Sequence, residues 1–313
     1  GAALARVRPR AAFLRQARNA AAAALDPDWT LRQLTYGSGG GLFHAHSYYD
    51  IPVLSDDARR IAAYRMRMQG RWMTPKDAVE IGIVDVETGG FARIGTSRAW
   101  SWQQGPMAQW LPGGQALIWN DRVRADDAAD GDAFVARLHD IRTGTTRTLP
   151  RTVYAITPGG DAALSLNMAR LDRARPGYGY PGGRGAALET GAPAEDGVWR
   201  MGLAADEPAP KLVLPLSRAV AYLAERLPQE ERQEHLSGAL VHWFNHVKLS
   251  PNGRRFTVKL RWRAADLQSP WTGRMGVSLT CGMDGTGLSL LARGASHVMW
   301  LDDRSLYFWH QSE

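Results

Sequence analysis

Leu249-Ser-Pro-Asn-Gly-Arg-Arg-Phe256 is a tight polar turn between two apolar stretches, and the chain repeats it. The phrase returns as Leu54-Ser-Asp-Asp-Ala-Arg-Arg-Ile61, Leu111-Pro-Gly-Gly-Gln-Ala-Leu117 and Thr157-Pro-Gly-Gly-Asp-Ala-Ala163, with a worn copy at Leu301-Asp-Asp-Arg-Ser-Leu306. Pro, Gly, Asn and Asp supply the turn geometry, and the flanking apolar residues supply strands. One unit recurring every 40 to 60 residues or so (roughly) is the signature of a β-propeller built from four-stranded antiparallel blades. A second echo supports this reading. Asp140-Ile-Arg-Thr-Gly144 repeats Asp85-Val-Glu-Thr-Gly89, a hairpin turn whose Gly accepts a positive φ.

Outward from these turns, a first blade is expected from Tyr49 to Gly95, with strands Ile51–Leu54, Ile61–Met66, Val79–Val84 and Phe91–Ile94. A second runs from Met107 to Pro150. A third opens at Val153, is interrupted by the loop Arg173-Ala-Arg-Pro-Gly-Tyr-Gly-Tyr-Pro-Gly-Gly-Arg184, and resumes at Val198. Residues 217–240 carry the apolar face of a helical insertion at Ala219-Val-Ala-Tyr-Leu-Ala-Glu-Arg-Leu227. A fourth blade is expected from His246 to Arg293, and a fifth opens at His297. Residues 1–28 are rich in Ala and Arg and read as a helical arm. Trp29–Thr35 alternates like a strand that joins the last blade. The domain reading is therefore an arm over 1–28 and a propeller over 29–313, seven-bladed in full and incomplete at its C-terminal end.

The formal charge of +7 and a pI near 9.8 favour anionic partners: a polyuronate or sulfated glycan, a nucleic acid or a membrane surface. The basic residues form no dense patch of the nucleic-acid kind, and no RNA-recognition signature occurs. No apolar run approaches the about 18 residues of a membrane span. Cys281 is the only cysteine, so neither an intrachain disulfide nor a Cys-rich zinc site is available. Compartment stays open between cytoplasm and periplasm.

The histidines fall in phase with the repeat. His44 and His46 precede the first blade, His246 opens the fourth, and His297 holds the same phase in the fifth. Residues leading innermost strands converge near a propeller's axis although they are distant in sequence. One reading is a divalent metal (Mn, Ca or Zn) on His44, His246 and His297; another is acid–base work by His46 or His246. Gln103 and Gln104 share the phase and suit hydroxyl or metal partners, with Trp102 as a sugar-stacking face. Asn120 and Arg122 end a second strand, where they face a ligand or make a buried ion pair. In the interrupting loop, Arg175 can clamp a carboxylate, and Tyr178 or Tyr180 can give a proton. Arg261 adds charge at a similar level. No phosphate-binding Gly-x-x-x-x-Gly-Lys loop, Gly-x-Ser-x-Gly elbow or His-Glu-x-x-His pair is present.

The openings Tyr49-Asp-Ile-Pro-Val-Leu-Ser-Asp-Asp57 and Asn245-His-Val-Lys-Leu-Ser-Pro-Asn-Gly-Arg-Arg-Phe256 resemble TolB-type propeller repeats. The His-led opening also resembles the propeller polysaccharide lyases of the oligogalacturonate lyase and ulvan lyase kind. That resemblance implies β-elimination on an acidic, uronate-containing oligosaccharide. His46 or His246 would be the base and Tyr178 the acid, Arg175 or Arg261 would hold the carboxylate, and Tyr180, Trp102, Gln103, Gln104, Asn120 and Arg122 would contact sugar. A manganese site of the oligogalacturonate lyase kind is matched only loosely by His44-x-His46. The alternative is a non-catalytic propeller that binds glycans or envelope proteins. Convergence of His44, His46, His246 and His297 in one wet pocket separates the two readings.

Overall fold

The repeated turn is built the same way at distant points of the chain. Ser250 Oγ donates to Asn252 Oδ1 at 2.9 Å and accepts from the Arg255 amide at 3.1 Å. Ser55 Oγ donates to Asp57 Oδ1 at 2.6 Å and accepts from the Arg60 amide at 3.1 Å. Each turn closes a first strand onto a second, and the alternating apolar residues that follow carry the sheet outward. The computed structural model describes residues 31–36, 41–67, 70–123, 132–183, 188–206, 209–268 and 276–309. The expected arm over 1–28 lies outside them.

Four sheets of four antiparallel strands, each in chain order, frame the described chain. The first holds β1 (Leu42–Ala45), β2 (Arg60–Arg67), β3 (Val79–Asp85) and β4 (Phe91–Ser97). The second holds β5 (Gln109–Trp110), β6 (Ala116–Val123), β7 (Ala133–Asp140) and β8 (Thr146–Leu149). The third holds β9 (Ala155–Ile156), β10 (Ala162–Ser165), β11 (Gly197–Gly202) and β12 (Lys211–Pro215). The fourth holds β13 (Leu240–Leu249), β14 (Arg255–Ala264), β15 (Gly276–Gly282) and β16 (Ser289–Arg293). β17 (Ser296–Trp300) and β18 (Leu306–Trp309) form a two-stranded sheet. Tyr49, Met107, Tyr154, Val247 and Met299, which lie in or beside the first strands of the five sheets, line one common pocket of 560 Å³.

Apolar clusters join neighbouring sheets face to face. Tyr64, Ile81, Trp110 and Trp119 pack the first sheet on the second. Ile118, Ala136, Ala163 and Met201 pack the second on the third. Leu164, Leu214, Trp243, Phe256 and Leu279 pack the third on the fourth, under Ala219, Val220 and Leu223 of α2 (Leu216–Ala224). No helix among the described residues is long and apolar enough to cross a membrane.

Several boundaries differ from expectation. Residues 31–36 of the expected closing strand have no regular structure, and the Arg32 guanidinium instead donates to the Val86 and Glu87 carbonyls. The first strand of the first sheet is Leu42–Ala45; the expected Ile51–Leu54 keeps only the Leu54–Ile61 bridge, because residues 46–52 swing away from β2. The fourth sheet starts six residues ahead of His246, at Leu240. The interruption of the third sheet starts ahead of the expected loop, in a helix, α1 (Met168–Ala174), capped by Asn167, whose side chain accepts from the Arg170 amide. The 217–240 insertion is two helices, α2 and α3 (Gln229–Leu236), parted at Pro228, which disfavours helical backbone in the residue before it.

Candidate functional site

A left-handed residue recurs shortly ahead of the repeated turn. Met107, His246 and His297 have φ of 54°, 53° and 51°, and each stands four residues ahead of its turn. In β13, His246 and Val247 together oppose the single residue Val258, between the pairs Asn245–Lys259 and Lys248–Thr257. In β17, His297 and Val298 likewise oppose Phe308. Such a bulge re-aims a side chain at about 1–2 kcal/mol of backbone strain when the residue is not Gly. A hydrogen bond holds the bulge at His246, whose amide donates to Tyr154 Oη at 3.0 Å. Gln104 Nε2 donates to the same oxygen at 2.7 Å.

Both bulge histidines reach a cavity of 380 Å³. β14 contributes Thr257, Lys259 and Arg261, and β15 contributes Ser278. The loop after α1 brings Arg175 and Tyr178; the segment after β1 brings Tyr48 and Tyr49; Gln103 and Lys248 complete the polar wall. Tyr48 stacks on His246 with ring centroids 5.6 Å apart, and Tyr178 meets it edge-on at 6.0 Å. The Arg175 guanidinium lies 3.4 Å over the Tyr178 ring. Arg261 Nε donates to Asn245 Oδ1 at 3.3 Å, and Lys259 Nζ donates to the Ala295 carbonyl. Lys248 Nζ pairs with Asp50 at 2.8 Å.

Four cations thus face one another around one cavity. Burial holds the His246 imidazole well below its usual range, and Arg261, Lys259, Arg175 and Lys248 push it further, so the ring is neutral. Burial, with Arg261, Arg175 and Lys248 as neighbours, pushes Lys259 down to about 8. Arg175 is lowered to about 10, by burial above all. The chamber is electrostatically prepared for an anion.

Of the residues singled out in the sequence, His246, His297, Tyr178, Arg175, Arg261 and Gln103 are brought together here. The others are placed elsewhere. His46 is exposed beyond β1 and outside the cavity lining. His44 packs on Phe91 at 5.0 Å, away from the cavity, so the expected set of His44, His246 and His297 is not assembled. Trp102 packs edge-on against Trp100. Gln104 is fully buried on Tyr154. Asn120 is bonded both ways to the Val153 backbone and donates to the buried Tyr180 hydroxyl at 2.9 Å. Arg122 donates to the Pro75 and Pro181 carbonyls and pairs with Asp132 at 3.3 Å, an ion pair in which the arginine is buried and the carboxylate is 37% exposed. Gln104, Asn120, Tyr180 and Arg122 are buried and bonded to neighbouring segments of the protein.

The donor set does not fit a divalent metal. Two imidazoles share the cavity with four cations, and the nearby carboxylate, Asp50, is bonded to Lys248. Among the described residues no group of three His, Cys, Asp or Glu could hold a metal ion.

Tyr48, Tyr49, Lys248, Thr257, Lys259 and Ser278 line the cavity without having been expected there. Part of the signal was present: Thr257-Val-Lys-Leu-Arg261 alternates polar and apolar, which puts three polar groups on one face of a strand.

No protein-family model and no curated protein matches the chain. Solved structures resemble it at low identity. A putative TolB from Agrobacterium tumefaciens is 14% identical with a TM-score of 0.40, over 76% of this chain and 62% of that one. An oligogalacturonate lyase in complex with manganese is 11% identical with a TM-score of 0.47, over 85% and 61%. An acylaminoacyl peptidase from Pyrococcus horikoshii is 12% identical with a TM-score of 0.41, over 83% and 35%. The chain spans about three fifths of the length of the first two.

Proposed function

We propose that the chain from residue 29 onward is a propeller whose cationic cavity binds an acidic oligosaccharide and cleaves it by β-elimination. One observation carries this reading: a neutral histidine, a tyrosine and two arginines share one chamber. Arg175 and Arg261 hold the uronate carboxylate, whose charge they partly neutralise, and so acidify the neighbouring C5–H. His246 accepts that proton. The electron pair forms the C4–C5 double bond, the C4–O bond breaks, and Tyr178 gives its proton to the departing oxygen. His46 lies outside this cavity and has no part in the scheme, and no step passes through a metal.

The test is ultraviolet absorbance of the unsaturated uronate released from polyuronates. His246→Ala and Tyr178→Phe should each lower the rate about 10²- to 10⁴-fold, the usual worth of general acid–base catalysis. Because the folded His246 is shifted downward, the ring stays a competent base as pH falls through the ordinary histidine range. The acid limb of kcat/KM should therefore lie below about 6.5, the unperturbed value. No unsaturated product from any polyuronate defeats the proposal.

A second reading, a non-catalytic anion-binding propeller, is favoured by the divided histidine set, since His44 and His46 lie outside the cavity. Ligand binding that survives in His246→Ala, with no product from the unaltered protein, would select it.

A further inference from the structure

One wall of the cavity is a face of the fourth sheet, and its register can be followed row by row. Thr257, Lys259 and Arg261 alternate along β14 and so point the same way, about 7 Å apart in sequence steps of two. Ser278 is the cross-strand partner of Lys259 on β15, which puts their Cβ atoms about 5 Å apart on that same face. Lys248 is the partner of Thr257 on β13. All five line the cavity.

Two of these groups are unsatisfied. Thr257 and Ser278 are each 2% exposed, and both hydroxyl oxygens are buried with no hydrogen-bond partner. Leaving a buried hydroxyl unpaired costs about 1–3 kcal/mol, and this sheet does so twice, either side of an ammonium that is also buried. Thr280 Oγ1, on the cross-strand partner of Thr257, by contrast donates to the Phe256 carbonyl at 3.0 Å. Asp50, the carboxylate beside this wall, is occupied by Lys248.

We propose that Thr257, Lys259 and Ser278 form a subsite for a tetrahedral oxyanion, a sulfate or phosphate ester carried by the ligand. It lies beside the carboxylate clamp of Arg175 and Arg261 and rests on the reading of this cavity as the ligand site. The chemistry separates the two positions. A planar carboxylate matches the fork of a guanidinium, whereas a point-charge ammonium flanked by hydroxyl donors matches oxygens that spread in three directions. A bound dianion would offset the mutual repulsion of Lys259, Lys248 and Arg261 and give both hydroxyls an acceptor. The ligand then carries two acidic groups of different kind.

Calorimetric titration and thermal shift with inorganic sulfate and phosphate, at ionic strength matched with chloride, test this on the full chain. Saturable binding of either ion, not reproduced by acetate, is expected. Thr257→Val and Ser278→Ala should each weaken it about tenfold or more, the worth of a hydrogen bond to a charged group. Both variants should keep or raise the unfolding midpoint, because each removes an unsatisfied buried hydroxyl. Absence of saturable binding, or equal affinity in both variants, overturns the subsite. Competition by a monosaccharide sulfate against the matching monosaccharide phosphate names the source; displacement by neither also overturns it. Turnover is not needed for binding. Sulfate or phosphate affinity without β-elimination removes the lyase reading alone, and β-elimination with unaltered anion affinity in the variants removes the subsite alone.

Discussion

At the scale of single residues, the site depends on holding a histidine in backbone geometry that histidine disfavours. The Tyr154 hydroxyl, from the third sheet, accepts the His246 amide and so fastens the bulge of the fourth sheet. Tyr154→Phe keeps the ring in its buried place and deletes that acceptor. The expected cost is about 1–3 kcal/mol for an unpaired buried amide, read from the urea midpoint, together with a changed imidazole signal for His246 in nuclear magnetic resonance. A variant with unaltered stability and an unaltered His246 signal would show that something else fixes the bulge. The sequence made half of this legible. His246 and His297 stand out because they share a phase, and phase is a property of the repeat. His44 and His46 were expected at that phase too, but the first strand is Leu42–Ala45, so His44 lies within it and His46 just past its end, where residues 46–52 leave the sheet with nothing in their types to announce it. Lys259 and Thr257 passed unnoticed because alternation on a strand places residues on a face without saying which face borders a cavity.

At the scale of elements, α3 poses a different problem. It is strongly polar, and its buried residue is His235. His235 Nδ1 lies 2.9 Å from His242 Nε2 of β13, and His242 Nδ1 faces the Gly191 carbonyl, so His235 donates and His242, the acceptor, is neutral. His235 also packs edge-on against Trp262. Burial, then His235 and Arg170, push His242 down to about 3; Glu234, Glu231 and Arg293 surround His235. The unfolded chain, with an ordinary histidine, binds more protons than the folded one between about 6.5 and 3. Stability therefore falls as the pH drops through that window. Between pH 7.5 and pH 5 the loss at His242 should approach about 2 kcal/mol, seen as a lower urea midpoint, and His242→Gln should flatten the difference. An equal pH dependence in both proteins would place the acid sensitivity elsewhere. The helices also show what periodicity misses. The apolar stripe of α2 was legible because it covers the core, whereas α3 has no stripe to read. α1 lies just ahead of the loop rich in Gly and Pro and was not read, although Asn167 ahead of Met-Ala-Arg-Leu is an N-cap signal.

At the scale of the molecule, stability comes from sheets packed face to face, and one close approach tests that directly. Gly95, on the outer strand β4 of the first sheet, lies under Trp119 of β6 in the second. A Cβ there would come within 2.6 Å of the indole. Trp119 is 2% exposed, and its Nε1 donates to the Thr96 carbonyl at 3.1 Å, so the ring is pinned across the seam. The backbone of Gly95 is not left-handed, so the glycine serves closeness and not conformation. Gly95→Ala must move the indole, strain its hydrogen bond and loosen the seam, a steric overpacking worth about 1–3 kcal/mol. The two sheets share one apolar cluster, so unfolding should stay a single transition with an unchanged denaturant slope and a lower midpoint. Shrinking the partner separates packing from any effect on the unfolded chain. Trp119→Leu in the Gly95→Ala background should cost less than Trp119→Leu alone, because the added methyl fills part of the vacated volume. Strict additivity of the two changes would mean that Gly95 and Trp119 do not meet, and that the first two sheets are not joined there.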